Sequence, residues 1–333
     1  MKAIIAKSGS EAKDTGAFLL IEQPIPEPGT DDLMVRVVAI GVNPVDTKAR
    51  KRFENDSVLG WDVYGVVEKT GEGVTGFQVG DRVFYAGDIT RPGCNSEYHI
   101  VDHRIAAVAP EKLSPEDAAA MPLTSITAWE GLFERLGFVP EAHANSGKSI
   151  LIIGGAGGVG SVAIQLARWA GLEVFATASR PETADWCKKL GANTILNHRN
   201  SLGEELKGAE VDSVDTIFCT THMETHWKAM AECIRPQGHI VLIDDPVKPL
   251  DITLFKAKSV SISWEFMYTR SMFGTEDMCE QGKLLSTVAG LLNDGTLTTT
   301  RQKTVTGLTP ENIQAMHIKQ ESGTMMGKQV LVL

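Results

Sequence analysis

SILIIGGAGGVGSVAIQLA, residues 149–167, runs for 19 positions without a charge. An uncharged stretch of about this length can cross a bilayer as a helix. Five of its residues are glycine, at 154, 155, 157, 158 and 160, and each would cost a helix interior about 1 kcal/mol. The stretch therefore reads as strand, turn and helix. Within it Gly155-Ala156-Gly157-Gly158-Val159-Gly160 has the spacing G-x-G-x-x-G, directly after an apolar strand and opening a helix. In that setting the first glycine makes the tight turn and the second lets backbone approach a pyrophosphate. The third lets helix pack on strand, with the helix N-terminus facing the anion. These residues are assigned to a dinucleotide.

Working outward, apolar runs alternate with amphipathic stretches from Leu123 onward. SILIIGG, EVFATAS, TILNH, DTIFCTT, HIVLID and SVSISWEF read as buried strands, and VAIQLARWAG and PETADWCKKLGA as helices between them. That alternation is the signature of a parallel sheet built from βαβ units. Gly171 and Gly191 stand just past two of the helices, where a left-handed cap is expected. About 20 residues beyond the glycine loop a carboxylate would hold the ribose of NAD, but the second strand ends Ala178-Ser179-Arg180. A hydroxyl and a guanidinium suit a 2′-phosphate, because arginine offers charge and paired donors. The cofactor expected is NADPH.

The first 120 residues differ in kind. KAIIA, LMVRVVAIG, YGVVEKTG and DRVFYAG are short strands separated by turn residues, with Gly71, Gly73, Gly76 and Gly80 punctuating the last two turns. A mostly antiparallel β unit is expected there, and the last 35 or so residues, ending GKQVLVL, return to short β segments that rejoin it. At about 150 residues per domain, 333 residues make two domains. Glycine, with 32 residues, exceeds the roughly 23 that average usage would give, and the surplus falls at the turns and at the glycine loop.

A net charge of −10 with scattered basic residues argues against nucleic acid as a partner. The five cysteines, Cys94, Cys187, Cys219, Cys233 and Cys279, contain no C-x-x-C pair, which disfavours a disulfide framework and a four-cysteine zinc lobe. A reducing cytoplasm is expected. Lys7 interrupts the first apolar run too early for a signal-peptide core, so neither export nor a membrane is expected. Cys219, His222 and His226 have a plausible ligand spacing, but the cysteine lies in a strand and the histidines follow it, so a rim of the cofactor site is the favoured reading. Gly147-Lys148-Ser149 lacks the earlier glycine of a P-loop, and no G-x-S-x-G elbow is present.

Gly41-Val42-Asn43-Pro44-Val45-Asp46-Thr47 is followed by Gly60-Trp61-Asp62-Val63-Tyr64-Gly65-Val66-Val67, which leads to Gly80-Asp81-Arg82-Val83. With Leu123-Thr124-Ser125-Ile126-Thr127-Ala128-Trp129 and the glycine loop, these resemble the quinone oxidoreductase branch of the medium-chain dehydrogenase/reductases over essentially the whole chain. Trp264-Glu265-Phe266-Met267 with Thr269-Arg270-Ser271 is similar to the subgroup labelled zinc-type alcohol dehydrogenase-like. The resemblance implies an α/β fold: a Rossmann doubly wound parallel sheet over 123–295, beside a GroES-like, mostly antiparallel β domain made of 1–122 and 296–333. It places Asn43 at the nicotinamide and Thr127 near its ribose or the pyrophosphate. Ser179 and Arg180 then fall on the 2′-phosphate, His198 beside the adenosine, and Thr220 and Phe266 elsewhere along the cofactor. Strand 260–266 would extend the sheet across a homodimer.

The same resemblance bears on metal. Where zinc relatives carry a cysteine ligand this chain has Asn43, and where they carry Gly-His-Glu it has Gly60-Trp61-Asp62. The chain also runs from Val83 to Tyr98 without a four-cysteine lobe, so no metal ligands are expected. Without a Lewis acid a simple alcohol has nothing to hold its alkoxide. A quinone or an α,β-unsaturated carbonyl needs only hydrogen-bond donors at the carbonyl oxygen, and Asn43, Thr127, Tyr64 and Lys48 are the candidates. The expectation is a zinc-independent, NADPH-dependent reductase of such small molecules. A zinc alcohol dehydrogenase and a non-catalytic NADPH-binding sensor or structural protein are the alternatives.

Overall fold

The computed structural model describes all of residues 1–333, and the chain divides into two compact units. Residues 1–126 with 268–333 form one, and residues 127–267 the other.

The first unit opens with β1 (Lys2–Ala6), β2 (Phe18–Glu22), β3 (Asp32–Val42), α1 (Pro44–Arg52), β4 (Ser57–Val58), β5 (Asp62–Thr70), β6 (Arg82–Ala86), β7 (Tyr98–Asp102), β8 (Ala106–Val108) and α2 (Pro115–Ala119). Helix α3 (Pro122–Trp129) leads out of it. β3 is the hub of a seven-stranded sheet, antiparallel to β5 and to β7. Its inward residues Leu33, Val35, Ala39 and Ile40 are fully buried. β2, β1 and β4 make a small second sheet.

The second unit carries β9 (Ser149–Ile153), α4 (Gly158–Trp169), β10 (Glu173–Thr177), α5 (Pro181–Lys189), β11 (Thr194–Leu196), α6 (Leu202–Gly208), β12 (Val214–Cys219), α7 (Met223–Cys233), β13 (Ile234–Leu242) and β14 (Ser261–Trp264). All pairings are parallel, in the order β11-β10-β9-β12-β13-β14. The strands read as continuous apolar runs because both faces are covered, and Ile150 to Ile153 are fully buried. The order reverses between β9 and β12, and such a switch point at the carboxyl ends of the strands is where an open α/β sheet binds its ligand. Gly171 and Gly191 do take left-handed φ values, +90° and +110°.

The chain then returns to the first unit through α8 (Thr269–Phe273), α9 (Glu280–Asn293), β15 (Arg301–Thr306), α10 (Pro310–Glu321) and β16 (Lys328–Val332). Two features here differ from the sequence expectation. The return occurs at residue 268 and not at 296, because α9 packs with the first unit. Gly282 lets α9 rest on the strand backbone: a Cβ there would lie 2.5 Å from the Arg104 carbonyl oxygen. Its neighbour Gln281 donates from Nε2 to the Ala86 carbonyl at 3.3 Å. The second difference is α10, where only short β segments were expected. β15 and β16 are parallel, so the chain needs a crossover, and α10 supplies it.

Candidate cofactor and catalytic site

In the second unit the glycine loop joins β9 to α4. The positive φ of the turn falls on Gly154, at +85°, one residue before the motif. Its N–H donates to Thr177 Oγ1 at 3.0 Å. A Cβ there would stand 2.5 Å from Thr220 Oγ1, which itself donates to the Ile153 carbonyl at 2.8 Å. Gly155 is needed for packing, since a Cβ would come within 2.9 Å of the Ala176 Cβ. Gly160 permits the closest approach of helix to loop, 2.3 Å from its Cβ position to the Gly154 carbonyl oxygen. Gly157 meets nothing nearer than 3.4 Å, and it caps α4 without a side-chain hydrogen bond. The first N–H groups of a twelve-residue helix are therefore left for an anion. The motif reading assigned the turn to Gly155; the structure gives it to Gly154 and leaves Gly157 with no close neighbour.

At the end of β10 the residue Ala178 donates to the Leu196 carbonyl at 3.0 Å, so Ser179 and Arg180 follow the tip beside the segment after β11 that carries His198 and Arg199. Arg180 also caps α5, and its Nε pairs with Glu182 Oε1 at 2.7 Å on the surface. Glu182 was not foreseen as its partner. Partial burial and the charges of Arg199, His222 and Arg180 hold the His198 imidazole below its usual pKa. Cys219, His222 and His226 do not converge. The Cys219 thiol is pushed up to about 12 by burial and points to the Thr221 carbonyl, His222 Nδ1 meets Thr221 Oγ1 at 2.7 Å, and burial lowers His226 to about 4. Thr127 lies buried on α3, and Phe266 is exposed just beyond β14.

In the first unit Asn43 is extended, as the following proline requires, and caps α1 at φ −127°. Asn43, Asp46 and Asp62 are 0% exposed and Lys328 3%. Asn43 Nδ2 donates to Asp62 Oδ2 at 2.8 Å, and its Oδ1 accepts from Lys328 Nζ. Lys328 Nζ also donates to Asp62 Oδ2 at 2.8 Å and to the Val42 carbonyl at 3.1 Å. Asp62 Oδ1 accepts the Leu123 N–H at 2.7 Å. The orientation of the Asn43 amide is thereby fixed: oxygen toward an obligate donor, nitrogen toward an obligate acceptor. Asp46 Oδ2 accepts the Asn43 N–H at 2.7 Å while Oδ1 finds no partner. Burial raises the Asp46 carboxyl to about 7, against the Asn43 hydrogen bond and the Lys328 charge. Burial likewise keeps the Cys94 thiol protonated. Tyr64 is a buried residue of β5, and Lys48 is half-buried on α1. Lys328 and Asp62 were not singled out from sequence.

Residues 29–112 match the alcohol dehydrogenase GroES-like domain, and residues 158–282 match the zinc-binding dehydrogenase family. A zinc-type alcohol dehydrogenase-like protein of Staphylococcus aureus is 40% identical over 333 residues, covering 99% of both chains. The chain belongs to the zinc-type alcohol dehydrogenase-like proteins of the medium-chain dehydrogenase/reductase superfamily. It is an oxidoreductase of that family, with its Rossmann sheet and GroES-like domain. The 2-methylene-furan-3-one reductase of Solanum lycopersicum is 35% identical over 240 residues, which is 68% of this chain and 58% of that protein. The solved quinone oxidoreductase of Coxiella burnetii superposes with a TM-score of 0.82 at 25% identity, over 100% of this chain and 99% of that one.

The zinc in the family's name does not fit these residues. Asn43 spends its amide on Asp62 and Lys328. Trp61 is buried, donates Nε1 to the Asp88 carbonyl at 3.0 Å and packs edge-on against Tyr268 at 6.0 Å. A buried ammonium at this point repels a dication. Elsewhere, no three His, Cys, Asp or Glu side chains are grouped so that they could hold a metal ion. No helix is long and apolar enough to cross a membrane.

Proposed function

We propose that this family member is a zinc-independent, NADPH-dependent oxidoreductase that reduces quinones or α,β-unsaturated carbonyl compounds. The observation that carries the reading is the Lys328 ammonium lodged on Asn43 and Asp62. These are positions at which zinc relatives place metal ligands, so the chemistry must run without a Lewis acid. A conjugated acceptor suits that condition, because the negative charge formed on hydride addition delocalises onto an oxygen that hydrogen-bond donors can hold. The name of the tomato relative points to a conjugated ketone as its substrate.

The bound dinucleotide would supply the hydride. The N-terminus of α4, beside Gly157, Gly158 and Val159, binds the pyrophosphate, and Thr220 braces the loop. Ser179 and Arg180 bind the 2′-phosphate, His198 lies along the adenosine, and Phe266 contacts the cofactor elsewhere. Asn43, which gives one Nδ2 hydrogen to Asp62, and the Tyr64 and Thr127 hydroxyls are the proposed donors to the carbonyl oxygen. β14 is an edge strand whose Trp264 is 52% exposed, and we assign the segment 260–266 to a homodimer interface. Its test is the molar mass in solution of the protein and of Trp264→Glu.

NADPH and NADH oxidation measured with 9,10-phenanthrenequinone, a short enone and primary alcohols tests the function, together with elemental analysis for zinc. Turnover of the conjugated acceptors with NADPH preferred and no stoichiometric zinc is expected. Zinc near one per chain with alcohol oxidation would overturn it.

A further inference from the structure

An exposed histidine of the second unit is held more firmly than its place in a loop demands. His198 lies in the turn of residues 197–200, between β11 and α6. Glu205, on α6, grips that turn on both sides of it: the Asn197 N–H donates to Oε2 at 2.9 Å, and Asn200 Nδ2 donates to Oε1 at 2.7 Å. Two further bonds close the turn on itself, from the Arg199 N–H to Asn197 Oδ1 at 3.1 Å and from the Asn200 N–H to the Asn197 carbonyl at 2.9 Å. The His198 ring has a support of its own. His226, on α7 and only 8% exposed, meets it edge-on, with centroids 6.1 Å apart and ring planes at 74°. Aromatic rings attract at that separation and tilt.

Both supports stand on one core. Leu202 and Leu206 of α6 share a buried cluster with Met223, Trp227 and Met230 of α7 and with Ile153 and Phe175 of the sheet. The carboxylate that grips the turn and the imidazole that meets the ring are therefore anchored to the same base. Fixing an exposed side chain costs rotamer freedom, and burial of His198 returns little of it. Burial lowers the His226 imidazole to about 4, so its contact with His198 is that of a neutral ring near neutral pH.

The place of this ring says what meets it. In an open α/β sheet the tip of the second strand holds the adenosine ribose, and that strand is β10. Thr177 of β10 stands in register with Leu196 of β11, and the sheet runs β11-β10-β9. His198 thus lies beyond the β10 tip, on the side away from the glycine loop, where the base falls and the pyrophosphate does not. An exposed aromatic ring suits a purine, because every base has a π-face on which to stack.

We propose that Glu205 and His226 are positioning residues that present the His198 ring to the adenine base of the dinucleotide. The proposal rests on the dinucleotide reading above and extends it to the groups behind the contact. Neither residue touches the ligand, so the effect of each must pass through His198.

Dissociation constants for NADPH, NADH and 5′-AMP, the last by competition, are measured at pH 8 for the wild type, His198→Ala, His226→Ala, His226→Phe and Glu205→Ala. The double variant His198→Ala/His226→Ala completes a cycle. His198→Ala should weaken all three ligands alike, about tenfold, the order of one base–aromatic stack. His226→Ala and Glu205→Ala should weaken the same ligands about three- to tenfold, with the NADPH to NADH ratio unmoved, and His226→Phe, which restores a ring, should recover most of the loss. In the His198→Ala background, His226→Ala should cost nothing more, whereas a merely structural role would cost the same in both backgrounds. Alanine is a strong helix former, so Glu205→Ala keeps α6 and reports even where His226→Ala fails to fold. Additive losses in the cycle, a loss confined to NADPH, or unchanged affinity for all three ligands in Glu205→Ala sinks the proposal alone. A wild type that binds neither dinucleotide sinks the cofactor reading and the proposal with it.

Discussion

Asp46→Asn is expected to change how the first unit's stability depends on pH. Asp46 is fully buried, one carboxyl oxygen accepts the Asn43 N–H, and the other has no partner. Burial moves its pKa from 3.8 to about 7. Between those values the folded chain holds a proton that the unfolded chain has released. Stability therefore falls as pH rises, by about 1.4 kcal/mol per unit and about 4 kcal/mol over the whole window. The contribution is fully present below the unfolded pKa and lost as pH passes the folded one.

Asparagine copies the shape of the neutral acid. Its oxygen can still accept the Asn43 N–H, and its amide cannot titrate. At pH 4 the variant should match the wild type to within about 1 kcal/mol, since both then hold an uncharged side chain. By pH 8 it should be the more stable by roughly 2–4 kcal/mol. Guanidinium unfolding between pH 4 and 8, with amide exchange of residues 44–52 as the reading specific to α1, measures the difference. A gap between variant and wild type that stays constant over that range would refute the argument that Asp46 is protonated near neutrality.

Lys328→Met removes the cation from a buried pair and should cost about 3–5 kcal/mol in thermal or chemical unfolding; adding Asp62→Asn, which removes the uncompensated charge but keeps an acceptor for the Leu123 N–H, should recover part of it, and a loss under about 1 kcal/mol for the single variant would count against a buried pair. Gly160→Ala places a methyl 2.3 Å from the Gly154 carbonyl oxygen, so calorimetry should show dinucleotide affinity falling at least about tenfold; unchanged affinity would contradict the loop geometry. Arg180→Ala should lower the NADPH to NADH ratio of kcat/KM by about 10- to 100-fold, the worth of a charge-assisted hydrogen bond. A ratio unmoved by that change would leave the 2′-phosphate without its proposed cation.

The Rossmann half was legible because its constraints are local. A strand, a glycine turn and a helix are consecutive in the chain, and Gly154, Gly155 and Gly160 are each forced by a neighbour within the motif or at an adjacent strand. Even there the register slipped by one, since the positive φ sits on Gly154 and the spacing rule starts at Gly155. The boundary at 268 was not legible. An amphipathic helix after the last parallel strand reads as one more βα unit, and only the contact of Gly282 with the backbone of residues 104–106 shows where α9 belongs. The Lys328 network was hidden for a related reason. It joins residues 285 and 266 positions apart, and GKQVLVL on its own is an ordinary strand whose lysine should face water.

A lysine buried in this way needs an explanation, because replacing a buried ion pair by apolar residues is often neutral or stabilising. Asp62 provides one. Its Oδ1 receives the N–H of Leu123, at the start of α3, and its Oδ2 holds the amide of Asn43 at the start of α1. A leucine at 62 would fill the space and release both. The carboxylate must therefore stay, and once it is buried a counter-charge must be buried with it. A divalent metal could serve as that charge, but it needs ligands that Asn43 and Trp61 do not supply. An ammonium serves with the ligands present: a carboxylate oxygen, an amide oxygen and the Val42 carbonyl. On this argument the exchange of metal for lysine preserves the placement of Asn43 and α3 while giving up Lewis acidity. Reinstating cysteine at 43 and histidine at 61 would then yield no zinc site while Lys328 remains, and metal uptake by Asn43→Cys/Trp61→His with Lys328 intact would show the argument to be wrong.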